Sequence, residues 1–136
     1  MSGPLVLDLL ATRQALEEAL AEIEAHCRAH SIDGSRLMKL LLIVEELFSN
    51  TLKYGYGGEG RGRVRLQLRA EEALTLTFED DAPEFDPTGW DVEQSLGAEA
   101  EERPIGQTGI ALVMGLAARV DYEREDPTNR LILAIA

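Results

Sequence analysis

Arg63-Val64-Arg65-Leu66-Gln67-Leu68-Arg69-Ala70-Glu71-Glu72-Ala73-Leu74-Thr75-Leu76-Thr77-Phe78 alternates twice. Val64, Leu66 and Leu68 fall between Arg63, Arg65, Gln67 and Arg69, and Leu74, Leu76 and Phe78 fall around Thr75 and Thr77. A period of two is that of a strand with one face buried and one wet. The short connection Ala70-Glu71-Glu72 predicts that the two strands form an antiparallel hairpin. Its apolar face needs a cover, and the flanking sequence supplies helices.

Upstream, Leu16, Leu20, Ile23 and Cys27 recur at helical spacing, with Glu17, Glu18, Glu22 and Arg28 on the other side, predicting a helix from Thr12 to about His30. Gly34 is expected to break it and Ser35 to cap a second helix running through Lys53. That helix has Leu37, Leu40, Leu41, Val44, Leu47 and Phe48 as its inner stripe, and Gly55, Gly57, Gly58, Gly60 and Gly62 follow it as a flexible stretch. Leu5 to Leu10 reads as a short edge strand. Downstream, Asp80 to Arg103 lacks periodicity and reads as a long loop, of a length that is usually functional or disordered. Thr108 is placed to cap a third helix over roughly Gly109 to Arg119, apolar almost all round. Val120 to Glu125 and Leu131 to Ala136 form a last hairpin, turned at Asp126-Pro127-Thr128-Asn129. The expected fold is α+β: a two-layer sandwich with helices packed on one face of a mainly antiparallel sheet. No repeat or linker divides the chain, so residues 1–136 are expected to make one domain.

The composition agrees with that reading and narrows the function. Of 136 residues, 45% are hydrophobic and 28% charged, which are globular values. Apolar runs such as Leu40 to Val44 are far too short for a membrane span, and Met1 to Leu10 lacks the basic start of a secretory signal. A lone Cys27 makes neither an internal disulfide nor a cysteine zinc site. A cytoplasmic protein is expected. The formal charge is −12, and residues 71 to 102 hold twelve acids with no Lys or Arg, while the rest balances at thirteen against thirteen. Such a field repels phosphate backbones, so neither nucleic acid nor an anionic membrane is an expected partner. Most of these acids are expected simply to be solvated.

Three groups carry residues suited to chemistry. Glu46 and Asn50 stand four apart on the second helix, so they share a face, with Lys39 and Lys53 near the same stripe. A carboxylate beside an amide oxygen suits a hard cation such as magnesium, although a plain polar helix face would look alike. Asp80 follows the strand that ends at Phe78, inside Glu79-Asp80-Asp81-Ala82-Pro83-Glu84-Phe85-Asp86-Pro87. There an ionised carboxylate can accept a hydrogen bond from an exocyclic amine such as that of adenine; an acidic turn between prolines is the plainer reading. Gly106-Gln107-Thr108-Gly109-Ile110 opens a helix, where free N–H groups and the positive dipole end favour phosphate; ordinary capping explains it equally well. It is not a P-loop, for no Gly-Lys-Ser/Thr follows.

Taken in order, the three groups resemble the N, G1 and G2 boxes of the histidine-kinase-like ATPases. Glu45-Glu46-Leu47-Phe48-Ser49-Asn50-Thr51-Leu52-Lys53-Tyr54-Gly55-Tyr56 and Asp80-Asp81-Ala82-Pro83-Glu84-Phe85-Asp86-Pro87 are similar to the corresponding boxes of the anti-sigma-factor serine kinases. So is the ending Val120 to Leu133. The resemblance runs from Thr12 onward and leaves no room for a sensor or phosphoacceptor domain. It implies ATP with Mg2+ as cofactors. Asn50 would ligate the magnesium, Glu46 would act as general base, Asp80 would hold adenine with Ala82 beside it, and the backbone of Gly106, Thr108, Gly109 and Ile110 would cradle the phosphates. Arg103 is the only cation of the acidic lid between the second and third boxes.

The sequence departs from the family pattern at Ala82, where a glycine is usual, and at Tyr54, where a histidine is common. A threonine frequent in the final strand has no clear counterpart near Arg130 and Leu131. The function implied is an anti-sigma regulator. It is an ATP-dependent kinase that phosphorylates a serine of an anti-sigma-factor antagonist and sequesters a sigma factor by partner switching, as a homodimer. The alternative is a module of the same fold that regulates its partner by binding alone. A detached sensor-kinase catalytic domain is disfavoured, since it needs a histidine domain elsewhere.

Overall fold

The computed structural model describes residues 3–89 and 107–136. Strand β1 (Leu5–Leu10) leads into helix α1 (Arg13–Ala29) and helix α2 (Gly34–Asn50), which continues as a wider π turn over Thr51–Gly55. Strands β2 (Arg63–Ala70) and β3 (Leu74–Asp80) form the expected hairpin, followed by a 3-10 turn at Pro87–Gly89. Helix α3 (Gln107–Leu116) and strands β4 (Arg119–Glu125) and β5 (Thr128–Ile135) complete the order. The sheet runs β1-β2-β3-β5-β4 with all neighbours antiparallel. No helix among the described residues is long and apolar enough to cross a membrane.

Alternation decides which side chains meet the helices. Val64, Leu66 and Leu68 of β2, Leu74, Leu76 and Phe78 of β3, and Leu131, Leu133 and Ile135 of β5 are all buried. The register sets Phe78 between Leu66 and Leu131, so the apolar rows run continuously across the sheet. Above them lie Leu16, Ala19, Ile23 and Cys27 of α1 and Leu37, Leu40, Ile43, Val44, Leu47 and Phe48 of α2. Ala19 and Ile43 belong to this layer, whereas Leu20 and Leu41 sit half-buried at its margin. The opposite sheet face is polar. There Arg130 pairs with Glu79 at 2.6 Å and Glu123 at 2.9 Å, and Arg63 with Asp8 at 2.8 Å. An exposed pair such as Arg63–Asp8 adds at most about 1 kcal/mol.

Several boundaries differ from the sequence-based expectation. Thr12 caps α1 as expected, its Oγ1 accepting from Ala15 N–H at 3.1 Å. Gly34 does not end that helix. The chain turns at Ser31, which takes φ of 57°, with Ile32 N–H donating to Cys27 O and Ser31 N–H to Arg28 O. This is the paired bonding of a Schellman cap, with the apolar Ile32 folded onto the core. Asp33, not Ser35, caps α2, its carboxylate accepting from Arg36 N–H at 3.0 Å. Helix α3 begins at Gln107, so Thr108 lies inside its first turn and is not the cap. It ends at Leu116, before Arg119 enters β4. Leu112 on α3 is exposed, so the helix is not buried all round. Thr128 and Asn129 belong to β5, and Asp126-Pro127 alone makes the turn.

Candidate functional site

The alternation that buries Leu74, Leu76 and Phe78 carries Asp80, the last residue of β3, into the same layer, where it is 8% exposed. Asp80 therefore ends the strand and does not follow it. A carboxylate buried there needs partners, because an unpaired buried charge is strongly unfavourable. It has three. Thr51 Oγ1 donates to Oδ2 at 2.7 Å, while Asn129 Nδ2 at 2.9 Å and Ala82 N–H at 3.2 Å both donate to Oδ1.

Thr51 reaches Asp80 from the π turn. α2 ends at Asn50, and Tyr56 N–H then donates to Thr51 O at 2.8 Å, a five-residue step. Such widened turns recur at functional sites because they re-aim side chains that a regular helix would point elsewhere.

Asn129 stands directly across from Asp80 in the β3–β5 register and is equally buried. Its amide nitrogen also donates to the carbonyls of Ala82 at 2.9 Å and Pro83 at 3.2 Å. Its oxygen accepts from Tyr122 OH at 2.6 Å, Arg124 Nη1 at 3.0 Å and Phe85 N–H at 3.4 Å. The stretch after β3 is thus pinned to β5 by one side chain. Asp80 thus has a polar partner in the final strand, Asn129.

The other side of this stretch is held as firmly. Asp81 turns outward to Arg65, with Nη2 to Oδ1 at 2.8 Å, and accepts from Thr128 Oγ1 at 2.9 Å. The Arg65 bond holds the Asp81 carboxyl below its ordinary pKa. Asp81 N–H donates to Tyr56 OH, which donates to Arg63 O at 2.7 Å; burial pushes the phenol above its usual pKa. The Tyr56 ring lies over Gly62, leaving no space for a side chain there.

Ala82 does not merely add a methyl beside Asp80. A Cβ built on Gly55 would stand 2.9 Å from Ala82 Cβ, so the bare α-carbon of Gly55 in the π turn is what makes room for that methyl.

Glu46 and Asn50 lie half-buried, one turn apart, on the face of α2 near α3. A Cβ on Gly109 would collide with Glu46 Oε2, so the first turn of α3 presses its backbone against the Glu46 carboxylate. Gly109 stands in that turn, whose first N–H groups lack intrahelical partners, and Ile110 closes it. Lys39 is not part of this group: it donates to Ala136 O at 3.2 Å. Lys53 is exposed on the π turn. Arg103 and Gly106 lie outside the described residues, as does the Thr108 side chain.

Among the described residues no cluster of three or more His, Cys, Asp and Glu gathers to hold a metal alone. Oxygen donors from Asn50 and Glu46 fit a hard cation that takes most of its ligands from water and phosphate. A depression of about 440 Å³ lies on the open sheet face among Val6, Asp8, Arg65, Gln67, Glu79 and Arg130. It faces away from Asp80, and its cations are already paired with carboxylates.

Sequence reasoning missed Thr51, Asn129, Tyr56 and Gly55. Asn129 was legible, since stepping back by two from Leu131 and Leu133 places it on the buried face. The others depend on the π turn, which has no periodic signature.

Residues 9–135 match the family model of the histidine kinase-like ATPase domain. A search of curated proteins returned no match. In structure the chain is similar to the RsbU and RsbW domains of Rv1364c from Mycobacterium tuberculosis, with 15% identity and a TM-score of 0.66. That likeness covers 98% of this chain and 32% of that one. It is also similar to the histidine kinase domain of the blue-light activated histidine kinase EL346 from Erythrobacter litoralis, with 18% identity and a TM-score of 0.50. There it covers 90% of this chain and 63% of that one. The chain thus spans about a third of the first protein and under two thirds of the second. At these identities the likenesses establish the fold alone. The match across nearly the whole chain goes further: this protein belongs to the histidine kinase-like ATPase domain family.

Proposed function

We propose that the protein binds ATP with magnesium and phosphorylates a serine of a small antagonist protein, acting as an anti-sigma regulator that also holds a sigma factor. One observation carries the reading. Thr51 bonds the buried Asp80, and its neighbour Asn50 stands one helical turn after Glu46, whose carboxylate meets Gly109. One helix end thereby joins an acceptor for a base amine to oxygen donors beside a helix N-terminus.

The residues divide the work as follows. Asp80, fixed by Thr51 and Asn129, accepts the adenine amine. The free N–H groups of the first turn of α3 suit phosphate oxygens. Asn50 would offer its oxygen to magnesium, which when bound neutralises phosphate charge and orients the γ-phosphate. Glu46 takes the proton from the attacking serine hydroxyl, a contribution of roughly 10²–10⁴-fold. The RsbW domain in the similar structure from M. tuberculosis supports an anti-sigma role. The acidic, cation-poor segment at 71 to 102 supports a protein partner over nucleic acid. The departure at Ala82 has its own seat against Gly55, which supports nucleotide binding despite the extra methyl.

The test is recovery of partners on the tagged protein with and without Mg-ATP, followed by single-turnover phosphorylation of the recovered antagonist. Transfer to serine in wild type, lost in Glu46→Gln with ATP affinity kept, is the expected result. ATP binding and partner capture without transfer favours regulation by binding alone, and transfer to histidine would point to a sensor-kinase role.

A further inference from the structure

We infer that Asn129 is a specificity-determining residue that makes the Asp80 site reject guanine nucleotides, an inference that rests on the nucleotide-binding reading above. A carboxylate offers about four lone-pair directions, two on each oxygen. In this structure Oδ1 already accepts from Asn129 Nδ2 and Ala82 N–H, so both of its directions are taken. Oδ2 accepts from Thr51 Oγ1 and keeps a single direction among the described contacts. Asp80 is 8% exposed and locked in this arrangement, so it cannot rotate to offer another.

The consequence for base selection follows from the edges of the purines. Adenine presents one exocyclic amine at C6, which a single free acceptor satisfies. Guanine in the same pose sets its O6, an acceptor, against the carboxylate, which is repulsive. A shifted guanine can instead present N1–H and the C2 amine together, but that pair needs two free acceptors, one on each carboxylate oxygen. Asn129 Nδ2 occupies the second. It is held there from behind, because its own oxygen accepts from Tyr122 OH and Arg124 Nη1 and so fixes which way the amide faces. Asn129 acts through Asp80 and is a positioning residue, touching neither base in this account. A site with a filled acceptor discriminates sharply, because the wrong ligand leaves buried polar groups unpaired.

The experiment is calorimetric titration of the whole chain with ADP and, separately, GDP, each with magnesium, in wild type, Asn129→Ala and Tyr122→Phe. Wild type is expected to favour ADP by roughly 100-fold or more. Asn129→Ala frees one direction on Oδ1, so the ADP-to-GDP affinity ratio falls by roughly tenfold or more, through gained GDP affinity as well as lost ADP affinity. Tyr122→Phe loosens Asn129 without removing its N–H from Asp80, so the ratio holds even where both affinities drop. A ratio unchanged in Asn129→Ala overturns the inference, and so does a ratio that falls equally in Tyr122→Phe, since that would reflect general loosening. Should Asn129→Ala lack native circular dichroism, Asn129→Val, which suits a strand and carries no donor for Asp80, replaces it with the same expected fall. Wild type binding GDP within threefold of ADP overturns the Asn129 assignment while leaving nucleotide binding intact. Wild type binding neither nucleotide rejects the nucleotide reading itself and the inference with it.

Discussion

Gly109 and Glu46, sixty-three residues apart, touch so closely that a β-carbon on the glycine would overlap the carboxylate of the glutamate. The obstructed atom is the far end of a flexible side chain, which separates stability from function. In Gly109→Ala, Glu46 swings aside, and alanine is the better helix former by about 1 kcal/mol. Thermal stability is expected to stay level or rise, while the proposed serine phosphorylation is expected to fall by roughly 10²-fold or more as the proposed base, Glu46, leaves its position. Paired melting curves and single-turnover rates check it, and loss of both together would show that Gly109 serves packing only.

The Gly55–Ala82 approach predicts coupling between two positions 27 residues apart in sequence. Gly55→Ala forces a methyl against the Ala82 methyl and is expected to cost about 1–3 kcal/mol. Ala82→Gly removes the obstacle. In the double variant the cost of Gly55→Ala should drop by about 1 kcal/mol or more, read from urea denaturation of all four proteins. Strict additivity would mean that the π turn shifts freely and the contact decides nothing.

Asp80→Asn tests the buried carboxylate. An amide oxygen can keep one set of partners, but its NH2 group must then face either Thr51 Oγ1, which can rotate to accept, or the Asn129 and Ala82 N–H groups, which cannot. The expected orientation keeps the oxygen on Asn129 and the nitrogen on Thr51. Folding stability is expected to fall by about 1–3 kcal/mol. ADP binding is expected to vanish, because the remaining acceptor direction has become a donor. Calorimetry with retained ADP affinity would show that the base amine goes elsewhere.

A pH dependence is expected at the end of α1. His26 stacks on His30 with ring centroids 4.2 Å apart, and its Nε2 is buried without a hydrogen-bond partner. Burial first, and the neighbouring His30 second, lower the His26 pKa below 6.5. The unfolded chain therefore binds a proton more readily than the folded one. The contribution is fully present above about pH 6.5 and is lost as pH falls through the lowered value. Urea midpoints measured from pH 7.5 down to 5 should decline in wild type and decline less in His26→Phe. Equal slopes would assign the effect to other groups.

Much of this protein could be read from its sequence, because side-chain periodicity is a local property. Alternation at Val64–Leu68 and Leu74–Phe78 located the hairpin and its inner face, and helical spacing located α1 and α2 to within a few residues. The same alternation, extended backward from Leu131, already held Asn129 on the buried face. What only the tertiary structure decided depends on residues far apart in the chain. Asp80 draws two of its three partners from 29 positions before it and 49 after it. Whether a carboxylate at a strand end is a solvated turn or a buried acceptor with most of its directions filled rests chiefly on those distant partners. The π turn has the same origin. Thr51–Gly55 widens where Thr51 can reach Asp80 and Gly55 can clear Ala82, and no spacing of residues within that segment announces either contact. The chemistry-bearing residue types are written locally, but which of their atoms remain free to meet a ligand is set by packing across the sheet.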